Sequence, residues 1–263
     1  MKLQPKLYVA IALAAGLVFA ACSKKEEAPP PAAQPSAAAP AAAPVDAATA
    51  ATVTGTVKLD GVAPKAVRLK TDSDPFCSKV HASSPLMSEE VEVDKNNDLA
   101  NVVVYIKTGL ENRTFPTPTA TVELDQSGCH YKPHVIALMV NQPLAIVNSD
   151  QTTHNIHPTP ANNRDWNKSQ PPGADKITDS FAREEVAIPV KCNVHSWMKA
   201  YIAVLKNPYY FVTKEDGTFE IKNLPPGDYT IAAWQEKYGS TEQKITVGPK
   251  ETKKVDFVFK AGS

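Results

Sequence analysis

The chain has no net charge: 28 Lys and Arg are matched by 28 Asp and Glu across 263 residues. A broadly basic nucleic-acid-binding surface is therefore excluded, and only local patches are left open. It has no Cys-x2-Cys-His string, so a covalently attached c-type haem lacks its anchor. It has neither a His-Glu-x2-His nor a His-x2-Glu pair to hold a catalytic zinc. Helical periodicity is scarce throughout. Nor does any apolar run reach the length of about 20 residues that a membrane-spanning helix needs.

The longest such run, Leu7 to Ala21, follows Lys2 and Lys6 and ends in Phe19-Ala-Ala-Cys22. Its length and basic flank suit a secretory h-region. Small residues before a cysteine resemble the bacterial lipoprotein signal, which implies removal of residues 1–21 and lipidation of Cys22. Loss of Lys2 and Lys6 leaves the mature chain at about −2. The other reading is an ordinary signal peptide cut after Ala21. Ser23 resembles the outer-membrane sorting class of a Gram-negative source, which implies a lipid-anchored periplasmic protein. Residues 22–51 are then almost wholly Ala and Pro beyond Lys24-Lys-Glu-Glu27. That composition makes a semi-rigid spacer, extending several nanometres at about 3 Å per residue.

Chemistry concentrates in two short stretches. Lys191-Cys-Asn-Val-His-Ser-Trp-Met-Lys199 presents a thiolate, an imidazole and a thioether at Cys-x2-His-x2-Met spacing. Asn148-Ser-Asp-Gln-Thr-Thr-His-Asn-Ile-His157 offers a further imidazole, His154, after an apolar strand. Two imidazoles, one thiolate and a weak thioether suit a mononuclear electron-transfer copper ion, because sulfur favours Cu(I) while imidazole serves both oxidation states. Taken alone, His154 reads as an ordinary hydrogen-bonded histidine. A lone Cys-x2-His reads equally as half of a zinc site. Met198 shifts the balance, since a thioether is a poor zinc ligand.

These segments resemble the cupredoxins of plastocyanin and amicyanin type over about residues 122–206. The resemblance implies a Greek-key β-sandwich holding one type 1 copper. It makes His154 and His195 the imidazole ligands, Cys192 the thiolate and Met198 the axial sulfur. Asn155 would tie the two ligand loops together, and His157 would not be a ligand. The edge of His195 would reach the surface, with Trp197 beside it as an aromatic patch for electron hand-off. A Trp197 buried under the site is an equal reading, and Trp166 reads as packing.

With Cys22 and Cys192 assigned, Cys77 and Cys129 remain. In an exported chain they pair most readily, closing a loop worth about 4 kcal/mol in the chain-entropy model. The rival is a second metal site, since His81, His130 and His134 lie nearby in sequence and His157 is a further imidazole.

Strand-like runs recur instead of helices: Thr52–Leu59, Ala66–Leu69, Asn101–Ile106, Thr121–Leu124, Val135–Val140, Leu144–Val147, Val186–Val190 and Ala200–Leu205. They are short, rich in Val, Ile and Tyr, and bounded by Gly, Pro, Asn and Asp, which predicts an all-β chain of sandwiches. Pro158 to Phe181 reads as one long loop. Past the copper loop, Glu215-Asp-Gly-Thr-Phe-Glu-Ile221 and Leu224-Pro-Pro-Gly-Asp-Tyr-Thr-Ile-Ala-Ala-Trp234 carry turn dipeptides between alternating strands. These strings resemble the carboxypeptidase regulatory-like, transthyretin-type β-sandwich, an accessory module, and Gly55–Gly61 looks like its first strand. The domains expected are an N-terminal β region at 52–120, a cupredoxin-like domain at 121–206 and the regulatory-like sandwich at 207–263. Either the copper domain interrupts a split regulatory-like sandwich, or residues 207–263 form one alone while the N-terminal strands join the cupredoxin.

The expected function is a membrane-tethered one-electron carrier, not an enzyme, passing electrons between redox proteins such as c-type cytochromes or quinol/cytochrome oxidoreductases. The alternatives are a periplasmic copper chaperone or store, a two-copper enzyme, and a ligand-binding surface module.

Overall fold

β-Branched and aromatic runs set off by turn residues become strands, and the computed structural model, which describes residues 46–262, is almost wholly β. The leader, Cys22 and the spacer up to residue 45 lie outside the described residues. In chain order the elements are β1 (Ala51–Asp60), α1 (Pro75–Val80), β2 (Val103–Thr108), β3 (Val122–Gln126), β4 (Tyr131–Lys132), β5 (Val135–Met139), β6 (Leu144–Asn148), β7 (His154–Pro158), β8 (Lys168–Gln170) and β9 (Ile177–Asp179). They continue with β10 (Glu185–Lys191), β11 (Lys199–Leu205), β12 (Tyr210–Val212), β13 (Thr218–Leu224), β14 (Gly227–Gln235), β15 (Gly239–Val247), β16 (Thr252–Lys254) and β17 (Phe257–Lys260).

These strands form four sheets. In the first, β1 pairs with β13, β16 and β17; the second has the order β12-β2-β14-β15. Between them lies a core of Val53, Val57, Phe219, Ile221 and Phe257 with Val104, Ile106, Ile231 and Ala233. The third sheet runs β5-β11-β10-β7-β8 and the fourth β4-β3-β6-β9. Their shared core includes Ile136, Leu138, Ile188, Ile202 and Val204 with Leu124, Leu144 and Ile146. Each pair of sheets is a β-sandwich.

The second and third sheets are apolar on both faces, and that stacks one sandwich on the other. Val103, Tyr105, Ala232 and Trp234 turn away from the first core and meet Val135, Ala203 and Leu205. This explains why Asn101-Val-Val-Val-Tyr-Ile106 and Ala200–Leu205 do not alternate: strands covered on both sides read as continuous apolar runs. Burying each such Val or Leu contributes roughly 1.5–3 kcal/mol.

Residues 207–263 do not make a sandwich by themselves. Their β13, β16 and β17 are all held on β1, and β2 lies between β12 and β14. The segment from β3 to β11 is therefore inserted into a sandwich whose first two strands come from the N-terminal region, the split arrangement of the two left open by sequence. Gly55 is required where β1 meets the link between β16 and β17, since a Cβ there would fall 1.7 Å from Val255 O.

Two expectations about these elements differ from the structure, and one element was not foreseen. Ala66–Leu69 is not a strand and contributes only an isolated bridge between Arg68 and Met87. The stretch from Pro158 to Phe181 is not all loop, since β8 and β9 close the edges of the third and fourth sheets. The turn of helix α1 has no apolar periodicity to announce it. It rests instead on the Asp74 N-cap, whose Oδ1 accepts from Cys77 N at 2.9 Å, and on Pro75 in the first turn.

Candidate metal centre

Antiparallel pairing of Lys191 with Lys199 makes residues 192–198 the hairpin loop between β10 and β11. Met198 N–H donates to His195 O at 2.9 Å and Cys192 N–H to Met198 O at 3.3 Å, which coils the loop so that Cys192 and His195 face inward. On the other side of β10, Lys191 pairs with His157. That register brings the start of β7, and with it His154, to the mouth of the loop.

The donors converge. One nitrogen each of His154 and His195 and the sulfur of Cys192 lie within 4.8 Å of one another. His154 Nδ1 is 2.9 Å from His195 Nδ1, which is 3.9 Å from Cys192 Sγ. All are buried: His154 is 0%, His195 1%, Cys192 3% and Met198 0% exposed, and Met198 shares a core with Cys192. Metal bonds of about 2.0–2.3 Å would hold such donors roughly 3.4–3.8 Å apart, so a bound ion needs only small adjustments. The set of two imidazoles and a thiolate, with the Met198 thioether in the same core, fits copper.

Electrostatics point the same way. Backbone N–H groups of Asn155 and His195 both reach Cys192 Sγ at 3.4 Å. Burial pushes the Cys192 thiol up, but hydrogen bonding to His154 and to backbone N–H groups outweighs it and holds the thiol below its ordinary range. Burial opposes charge on His154, yet Asp150 and Cys192 raise its pKa to about 9. Burial and the neighbouring His154 push His195 down. A metal ion entering among these three inward-facing donors would displace the protons they carry.

Two carboxylates escaped the sequence reading. Buried Asp150 sits 2.8 Å from His154 Nε2 and accepts from Gly128 N and Cys129 N, each at 2.7 Å. Burial works against its charge, but these bonds hold its carboxyl below the usual range. Asp74 Oδ2 lies 3.4 Å from His195 Nε2 and accepts from Thr152 Oγ1 at 3.0 Å. The available clue was Asp-Pro at residues 74 and 75, which marks a helix start. Asp150 lies in the same stretch as His154, where nothing in the local pattern sets it apart from an ordinary turn carboxylate.

Asn155 links the two ligand segments, its Oδ1 accepting from Asn193 N at 2.5 Å and its Nδ2 donating to Asn167. Cys77 and Cys129 form a disulfide, so the second-metal reading of these cysteines does not hold. The remaining histidines are engaged separately: His81 with Gly128 O, His130 with Glu89, His134 with Glu236, and His157 with Asn193 and Asp165.

His195 does not reach the surface. The segment around Asp74 and α1, pinned by the disulfide, lies over the loop and leaves the ring 1% exposed, so the expected surface edge is corrected. Trp197 is half-buried; its ring lies 4.8 Å from that of His195 and its Nε1 donates to Cys129 O at 3.0 Å. Trp166 is buried in the inserted sandwich's core.

Residues 199–260 match the family model of the carboxypeptidase regulatory-like domain, a span from β11 to β17 that omits β1 and β2. No curated protein matches the chain by sequence. Among solved structures the chain is similar to a copper-containing nitrite reductase from Thermus scotoductus SA-01, at 16% identity over 39% of this chain and 25% of that one, with a TM-score of 0.31. It thus spans only a quarter of the reductase's length. It is also similar to a purple cupredoxin from Nitrosopumilus maritimus (19% identity, 31% and 97% of the chains, TM-score 0.27) and to a Cu(I) form of an amicyanin variant (14%, 32% and 81%, 0.29). These likenesses to cupredoxins are weak; the donor set itself carries the assignment of the metal.

Proposed function

We propose that this protein is a type 1 copper electron carrier of the bacterial cell envelope, lipidated at Cys22 and tethered by its Ala/Pro-rich spacer. One observation carries the reading: two imidazole nitrogens and the Cys192 sulfur meet at a buried point between β7 and the 192–198 loop, whose Met198 lies in the core. Copper bound there would supply one-electron chemistry, Cu(II) to Cu(I) and back. The chain's part is to fix its donors and exclude water. Loop hydrogen bonds, Asn155 and the disulfide-pinned cap do this, so little has to move when the electron arrives. Donors this buried leave no room for a substrate, which favours a carrier over an enzyme. The same cap would slow metal exchange, which favours a carrier over a chaperone.

The test is a copper titration of the full-length protein. One equivalent should bind per chain, with an intense visible thiolate-to-copper band and reversible one-electron electrochemistry without metal loss. A colourless protein holding a full equivalent of Cu(II) would refute the assignment, and rapid loss of Cu(I) to a chelator would favour delivery over electron transfer.

With His195 covered, the electron's way out is Trp197, whose ring lies 4.8 Å from that of His195 at a 41° tilt. Trp197→Leu should slow reduction by a partner such as a c-type cytochrome about tenfold or more while leaving the visible band unchanged. Stopped-flow kinetics decide it: an unaltered rate means the electron leaves elsewhere.

A further inference from the structure

The disulfide has a relation to the centre that the ligand set alone does not require. Each of its sulfurs shares a 4.8 Å cluster with one carboxylate oxygen and one imidazole nitrogen: Cys77 with Asp74 and His195, Cys129 with Asp150 and His154. The backbone is shaped for this. Gly128 and Cys129 have successive left-handed φ angles of 68° and 61°, which turn both N–H groups onto the Asp150 carboxylate. On the other side, Asp74 spends one oxygen capping the N–H of Cys77 and leaves the other beside His195 Nε2. Thr152 Oγ1 donates to that second oxygen, joining the Asp74 arm to the loop that carries Asp150. Both outer imidazole nitrogens thus face a carboxylate, at 2.8 Å for His154 and 3.4 Å for His195.

We infer that Asp150 and Asp74 are positioning residues that bias the bound copper toward Cu(II), so that the centre has a lower reduction potential than the same ligands would give without them. The inference rests on the copper reading above and deepens it. Asp150, accepting the outer N–H of His154, fixes that tautomer, leaves Nδ1 as the metal-facing donor and makes the imidazole a stronger base. His195 Nε2 has no hydrogen-bond partner among the described residues, and Asp74 acts on it through its charge at 3.4 Å. A stronger donor and a nearby negative charge both stabilise the doubly charged ion more than the singly charged one. Asp150 acts more strongly, because its contact is shorter and it is 5% exposed, whereas the Asp74 side chain is 18% exposed.

The experiment is voltammetry of the copper-loaded full-length protein and its Asp150→Asn and Asp74→Asn variants, where an electrode supplies the single electron. Removing such a partner typically costs ten- to a hundredfold in metal affinity. If that loss falls on Cu(II), Asp150→Asn raises the potential by roughly 59–118 mV, at about 59 mV per tenfold change for one electron. Asp74→Asn shifts it in the same direction by less. Asparagine caps helices about as well as aspartate, so Asp74→Asn keeps α1 and removes only the charge. It decides the question alone if Asp150→Asn does not fold. Copper-loaded, folded variants with the wild-type potential overturn the inference and leave the copper reading standing. A wild type that takes up no copper overturns both.

Discussion

Cys192→Ser should fold, take up copper weakly, and show no intense visible band. The band is expected from charge transfer between thiolate sulfur and Cu(II), and a serine oxygen offers no comparable donor. Oxygen also suits Cu(I) poorly, so the variant should lose Cu(I) affinity more than Cu(II) affinity and its couple should cease to be reversible. Folding is spared for a local reason. The N–H groups of Asn155 and His195 that reach Cys192 Sγ at 3.4 Å remain to serve a hydroxyl in its place. The site, 3% exposed, therefore gains no orphaned polar atom, and the expected cost is on the order of 1–2 kcal/mol. Absorption spectroscopy and thermal unfolding of the metal-free protein check the two halves separately. Retention of the wild-type band would mean that Cys192 is not the thiolate ligand.

The ligand loop was legible in sequence because its chemistry is local: Cys192, His195 and Met198 share one hairpin, and only His154 comes from elsewhere. The strands of the two-sided sheets were legible for the opposite reason, since runs such as Asn101–Ile106 leave no polar face to confuse the reading. The interruption of one sandwich by the other was visible only as two options. Pairing of β1 with β13 joins Val53 to Ile221, and only the likeness of Gly55–Gly61 to the module's first strand pointed across that distance. Hidden too was the cover over His195. Its pieces are Asp74, Pro75 and Cys77, a short turn with no periodicity, brought to the loop by a disulfide spanning 52 positions. Family resemblance placed the His195 edge at the surface because it describes the loop and not what the link between β1 and β2 lays across it. The same blindness hid Asp150, whose role appears only when Gly128, Cys129 and His154 surround it.

Removing that disulfide has the other large expected effect. In the chain-entropy model a loop of 52 residues is worth about 4 kcal/mol, so Cys77→Ala/Cys129→Ala should lower Tm by roughly 8–16 °C for a folded unit of this size. A global loss alone would say little about function. The cover makes a second, local prediction. With α1 no longer pinned, Asp74 leaves His195, and water and chelators gain access to the metal. Copper transfer from the double variant to a Cu(I) chelator should therefore be at least tenfold faster, measured well below its Tm so that unfolding does not contribute. The visible band should persist, because Cys192, His154 and His195 stay held by β7, β10 and β11. A variant that is less stable but exchanges copper at the wild-type rate would show that the disulfide only supports the fold. In that case the protection of the centre would reside in the loop itself, and the case for a carrier over a copper donor would lose its structural support.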